Sequence, residues 1–200
     1  MFFNFHTHIS GEHALVSAVD KPENTVFWSF ECHPWNLPEK FVFPEEIFFE
    51  KLALASALGE IGLDRLRGPE LAVQREYFRT YLSAAQKCGK PIVVHAVRCD
   101  TELDTELKNF NGNVLIHGFR GGNKRLQQHL QRGRFVSFAP GAWRNCTYTL
   151  KERGLKNIGL ETDDSGLCIE DVYFQAESET GISGWQTACA DNFLRFIGGK

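Results

Sequence analysis

An excess of positive charge is the first thing this sequence lacks. Its 22 Lys and Arg against 25 Asp and Glu leave a formal charge of -3 over 200 residues. No global field therefore draws the chain to nucleic acid or to an anionic membrane, and any polyanion must be met by a local basic patch. Long apolar runs are missing too. The opening Met1-Phe2-Phe3-Asn4-Phe5-His6 has neither the basic segment nor the extended apolar stretch of a signal peptide, and nothing later reads as a membrane span. The six cysteines (Cys32, Cys88, Cys99, Cys146, Cys168, Cys189) include no Cys-x-x-Cys pair. Without an export signal they are expected as free thiols in a reducing cytoplasm, not as a disulfide frame. No repeat, low-complexity tract or linker interrupts the chain. One domain over residues 1–200 is expected, a length near the lower limit for an eight-stranded α/β barrel.

What is present is one juxtaposition, made five times. Short apolar runs end on residues that can hold a metal ion: Phe2-Phe3-Asn4-Phe5 on His6-Thr7-His8, and Ser56-Ala57-Leu58-Gly59 on Glu60. Ile92-Val93-Val94 ends on His95, Val114-Leu115-Ile116 on His117, and Ile158-Gly159-Leu160-Glu161 leads into Asp163. A buried parallel strand reads as a continuous apolar run, and a parallel barrel carries its chemistry where the strands end. Singly, these features are ordinary. His-x-His puts two side chains on one face of any strand, a lone His after an apolar run is commonly structural, and an acid at a strand end commonly caps a helix. Together, six ligands at five strand ends would converge on one point, the arrangement of a two-metal hydrolase. His13 and His129 fall outside these slots and are expected on loop and helix surfaces.

Helical and strand periods alternate, which predicts an α/β fold with a parallel sheet. Strands are expected near 2–5, 25–31, 55–60, 92–95, 113–117, 134–138 and 157–161. The clearest helix is 70–87, stopped by Cys88-Gly89-Lys90-Pro91; others are expected at 44–54, 101–109, 123–132, 147–153 and 185–197. Residues 14–19 are either an eighth strand or a short helix, because too few residues precede Thr25 for an ordinary parallel crossover.

In order, these motifs resemble the TatD-like metal-dependent hydrolases, a branch of the amidohydrolase superfamily. The resemblance runs through His6-Thr7-His8, Cys32-His33-Pro34-Trp35, Gly59-Glu60-Ile61-Gly62-Leu63-Asp64, and Gln74 with Phe78. It continues in Lys90-Pro91-Ile92-Val93-Val94-His95, His117-Gly118-Phe119-Arg120-Gly121, Ser137-Phe138 and Glu161-Thr162-Asp163, nearly the whole chain. The departures are Asn4 for the usual Asp, Glu31 for Gly, Ser165 for Pro, and a pared-down N-terminal unit. The basic loop usual after Asp163 is also missing. The resemblance implies a compact, distorted TIM-type (β/α) barrel with one helix shortened or missing near the N-terminus. It also implies two divalent metal ions, with Glu60 bridging, His6, His8 and Asp163 on one, and His95 and His117 on the other. Zinc, manganese and magnesium are the candidates, and a His-rich shell favours the transition ions. Asp163 would orient or deprotonate the metal-activated water, and His33 would contact substrate or donate a proton.

Arginines follow the same strand ends: Arg65 and Arg67 after Glu60, Arg98 after His95, Arg120 after His117, and Arg144 after Phe138. Guanidinium binds phosphate bidentately, so Arg65, Arg98 and Arg120 are the expected substrate contacts. Trp35, Phe119 and Trp143 would either stack bases or close the barrel as core. The expected function is a metal-dependent phosphodiesterase or deoxyribonuclease acting on single-stranded DNA or RNA. The alternatives are hydrolysis of a small amide or ester at the same centre, or a non-catalytic barrel that binds metal or nucleotide. No membrane partner is expected, and the oligomeric state stays open.

Overall fold

The computed structural model describes residues 1–198. Eight parallel strands follow one another around the sheet in chain order: β1 (Asn4–Thr7), β2 (Ala14–Ala18), β3 (Phe27–Phe30), β4 (Ala57–Asp64), β5 (Ile92–Val97), β6 (Val114–Ile116), β7 (Phe135–Phe138) and β8 (Ile158–Leu160). The ring closes just past β8, where Thr7 bridges to Asp163 and the Asp163 N–H donates to the His6 carbonyl at 3.1 Å. Asn4 fastens the same seam. Its amide donates to Thr162 Oγ1 at 2.8 Å while its carbonyl oxygen accepts from the Thr162 N–H at 3.2 Å.

The helices are α1 (Glu45–Leu54), α2 (Leu71–Cys88), α3 (Asp100–Glu106), α4 (Asn123–Gln131), α5 (Thr147–Arg153), α6 (Ile169–Thr180) and α7 (Trp185–Ile197). α2 turns Gln74, Tyr77, Phe78, Tyr81, Leu82 and Ala85 inward at helical spacing. It stops where Gly89 takes the left-handed conformation, φ 64°. No sequence expectation covered α6, although Ile169, Val172, Tyr173, Ala176 and Thr180 recur at helical spacing. Its Tyr173 hydroxyl donates to the Phe3 carbonyl at 2.8 Å, tying it to the start of β1.

Residues 14–18 are a strand, parallel to both neighbours. Both of the first two crossovers, residues 8–13 and 19–26, therefore lack a helix, where one shortened or missing helix was expected. The shorter path is possible because the strands are short. Eight extended residues reach roughly 26 Å, against about 17 Å for a five-residue strand. A helix from the other end of the chain packs on β1 and β3 beside these crossovers: Phe193 of α7 lies 4.6 Å from the Phe3 ring, 5.4 Å from Phe5 and 5.0 Å from Phe27.

His129 corrects a second expectation, since it is buried rather than on a helix surface. It shares the inner face of α4 with Leu126, and its Nδ1 sits 3.2 Å from Arg134 Nη1. Burial first, then the Arg125 and Arg134 charges, push its pKa down to about 3. His13 is half-buried, its ring 5.3 Å from Phe3. All six cysteines are free. No helix among the described residues is long and apolar enough to cross a membrane.

Candidate metal centre

Two glycines let β4 carry the central carboxylate. At Gly59 (φ 147°) a Cβ would lie 2.3 Å from the Val93 carbonyl oxygen, and at Gly62 (φ 152°) 2.0 Å from that of His95. Only a residue without a side chain permits β4 and β5 to approach so closely, and with these φ values. Two strand-borne serines hold the backbone between them. Ser29 Oγ donates to the Gly59 carbonyl at 2.5 Å, and Ser17 Oγ accepts from the Glu60 N–H at 3.2 Å.

Glu60 ends up 3% exposed, with imidazoles around both oxygens. Oε1 faces His6 Nε2 at 3.1 Å and His8 Nε2 at 3.2 Å. Oε2 faces His117 Nε2 at 2.6 Å, His33 Nε2 at 3.4 Å and His95 Nδ1 at 3.5 Å. Asp163, at φ 49°, stands on the first side, with Oδ1 3.7 Å from His6 Nε2 and 3.8 Å from His8 Nε2. The strand ends thus bring together His6, His8, Glu60, His95, His117 and Asp163, with His33 beside them.

Both ring nitrogens of His6 and of His117 are buried without a hydrogen bond. A buried polar atom left so costs about 1–3 kcal/mol, and a divalent cation against Nε2 of each is the partner this donor set suits. Four clusters have the required reach: His6, His8 and Glu60; His33, Glu60 and His95; His8, Asp163 and Asp164; and His117, Glu161 and Asp163. His33 fits the second poorly as a ligand. It caps the turn Pro34–Asn36, with its Nδ1 accepting from the Trp35 N–H at 3.1 Å. A neutral ring then carries its proton on Nε2, the atom aimed at Glu60.

The charges are strongly coupled. Burial would raise the Glu60 carboxyl, but the His117 and His6 charges and the close approach of the His117 and His33 rings outweigh it, holding the group far below the usual carboxylate range. His8 is pushed up to about 9, chiefly by its hydrogen bond to Glu60. Burial pulls His117 down, yet Glu60 and Glu161 together raise it well above its ordinary value. Burial, then the neighbouring Glu161, raises Asp163. Protons and metal ions compete for these nitrogens, so metal affinity must fall with pH.

Of the five rim arginines, three are engaged elsewhere. Arg65 pairs with Glu102 of α3, Arg144 with Glu179 of α6, and Arg67 lies 3.8 Å above the Trp35 ring. Arg98 and Arg120 are exposed and line a hollow of about 520 Å³ that also touches His95, His117 and Asp163. Phe119 and Trp143 are core, not stacking platforms. Trp35, 40% exposed, has one face under Arg67 and His33 edge-on at 4.6 Å. An adjoining hollow of about 330 Å³ opens directly on Glu60, His95, His117 and Asp163, and His8, Glu31, His33 and Asp164 also line it.

Several site residues had no role assigned from sequence. Glu161 is fully buried, accepts from the Gly118 N–H at 2.7 Å and from Ser137, and faces His117 Nδ1 at 3.6 Å. Asp64 accepts from His95. A small polar residue inside an apolar strand, as at Ser17, Ser29 and Ser137, was the available signal.

Comparison with known proteins agrees with this architecture. A protein of Buchnera aphidicola described as an uncharacterized metal-dependent hydrolase is 29% identical over 160 residues, 72% of this chain and 60% of that protein. Another of that description, from Methanocaldococcus jannaschii, is 29% identical over 83 residues, 42% of this chain and 32% of its own. The chain thus spans well under two thirds of the length of either relative. The crystal structure of a TatD homologue from Escherichia coli superposes with a TM-score of 0.68 at 20% identity, covering 90% of this chain and 84% of that one. At that identity the likeness shows the barrel fold. The family model described as TatD related DNase matches residues 2–165, and the chain belongs to that family.

Proposed function

We propose that the chain is a divalent-metal-dependent hydrolase that cleaves phosphodiesters, with a single nucleic acid strand as the substrate class. The observation that carries this reading is Glu60, whose two carboxylate oxygens each face a separate set of imidazoles. His6, His8 and Asp163 would hold one ion, His95 and His117 the other, with Glu60 between them to offset their repulsion. Such ions lower the pKa of bound water and stabilise charge on an in-line phosphoryl transition state. Zinc or manganese suits the nitrogen-rich shell better than magnesium.

The protein's own groups divide the remaining work. Asp163 Oδ1 is the proton acceptor, and burial beside Glu161 raises its basicity. The His33 Nε2–H donates to charge that develops on the substrate, a direction set by the Trp35 N–H on its other nitrogen. Arg98 and Arg120 bind phosphate in the hollow beside His95 and His117. Support for a nucleic acid substrate is the family's description together with this pair of exposed rim arginines, which have no ion-pair partner among the described residues.

A second reading is hydrolysis of a small ester or amide at the same centre. It is favoured by Glu31 and Asp164, which line the hollow over Glu60 and repel a polyanion entering there. The experiment is hydrolysis of single-stranded DNA, RNA, a chromogenic phosphodiester, and neutral chromogenic esters and amides by zinc- and manganese-loaded protein. Turnover of the phosphodiesters is expected. Cleavage of neutral esters alone would favour the second reading, and no hydrolysis of any would refute both.

A further inference from the structure

Asp64 ends β4 four residues after Glu60, and strand alternation turns Glu60, Gly62 and Asp64 to one face. Gly62 pairs with His95 across the ladder, so the His95 ring spans the gap between the two carboxylates. Its Nδ1 is 3.5 Å from Glu60 Oε2 and its Nε2 is 3.0 Å from Asp64 Oδ2. His6, His8, His33 and His117 all turn Nε2 toward Glu60 instead. His95 is the reversed ring.

The Asp64 carboxylate is fixed by donors. Oδ2 also accepts from the Trp35 indole at 2.6 Å, and Oδ1 accepts from the Leu66 N–H at 2.7 Å. Gln74 grips the backbone of the same residue, accepting from its N–H at 2.7 Å and donating to its carbonyl at 2.9 Å. The whole group is 3% exposed.

We infer that Asp64 is a positioning residue for the Oε2 side of the metal centre, holding His95 with its proton on Nε2 and its Nδ1 lone pair free for a metal ion. The inference rests on the two-metal reading above. An ionised carboxylate only accepts, so the ring nitrogen facing it must carry the hydrogen, and a neutral imidazole has only one. The other tautomer would set a lone pair against Asp64 and aim an N–H at the cation. A carboxylate behind a ligating histidine also raises its basicity. Trp35 serves both neighbouring rings: its indole fixes Asp64, and its backbone N–H fixes His33. His33 and His95, with centroids 4.6 Å apart, then share a tautomer but present opposite chemistry, a donor from one and a lone pair from the other.

The test begins with nitrogen–proton correlation spectra of the histidines in zinc-loaded wild-type protein. His95 is expected as the Nε2–H form, with His6, His8 and His117 as the Nδ1–H form. Chelator competition on Asp64→Asn should show one zinc held 10–100-fold more weakly and the other unchanged. The visible spectrum of the cobalt-substituted protein should change in parallel. Trp35→Phe, which keeps the carboxylate, should hold both ions to within a few-fold of wild type. An Nδ1–H form of His95, or wild-type affinity for both zinc ions in Asp64→Asn, overturns the inference. If Asp64→Asn does not fold, the wild-type spectrum decides. Fewer than two zinc ions in the wild type overturns the two-metal reading itself, a result seen before any variant is made.

Discussion

Stability should fall steeply below neutral pH through His129, a residue outside the metal centre. In the folded chain its pKa is about 3, pushed down first by burial and then by the Arg125 and Arg134 charges. Unfolded, it returns to about 6.5. The folded protein therefore binds this proton more weakly, so protonation favours unfolding. The contribution is whole above pH 6.5 and is lost progressively as pH falls toward 3. Each pKa unit corresponds to about 1.4 kcal/mol, so at pH 5 the loss from this one group is about 2 kcal/mol. The imidazole is 1% exposed, so solvent screens little of this. The assay is urea denaturation of zinc-loaded wild type and His129→Gln at pH 7 and pH 5. The variant starts less stable, because it loses packing against Phe119, but its stability should change about 2 kcal/mol less between the two pH values. Equal pH dependence in the two proteins would refute the argument.

Three further outcomes follow from the geometry. Phe193→Ala should destabilise the fold by about 3–5 kcal/mol, because that ring covers Phe3, Phe5 and Phe27 where crossover helices are missing. Exposed Leu194 on the same helix should tolerate Ala within about 0.5 kcal/mol, both read by denaturant melts. Arg98→Ala and Arg120→Ala should each raise KM for an oligonucleotide roughly fivefold, about 1 kcal/mol for solvent-exposed contacts, and make its salt dependence shallower. Arg65→Ala, already paired with Glu102, should change it much less. Asp163→Asn should lower kcat by about 10²-fold or more while leaving the melting temperature within a few degrees; wild-type turnover would remove Asp163 from the chemistry.

The barrel and the strand ends that gather these imidazoles and carboxylates were legible because buried parallel strands are continuous apolar runs, and the residue at the end of such a run stands out. Glu60, His95 and His117 needed nothing more. What escaped depends on register between strands distant in sequence. Ser17 and Ser29 matter only because β2 and β3 bring them against the Gly59 carbonyl. Asp64 meets His95 only because the ladder sets Gly62 opposite that histidine. The pairings of Arg65 and Arg144 were hidden for the same reason, since Glu102 and Glu179 come from helices far along the chain. The strand at 14–18 was ambiguous because no helix lies between it and either neighbouring strand to mark a parallel crossover.

The central claim is that Glu60 joins two metal sites. Its most direct test is the metal content of purified wild type and Glu60→Ala after equilibration with zinc and removal of the excess. The account predicts two ions per wild-type chain and, for a folded Glu60→Ala, loss of both along with hydrolytic activity. Two retained ions in the variant, or full activity without them, would contradict it.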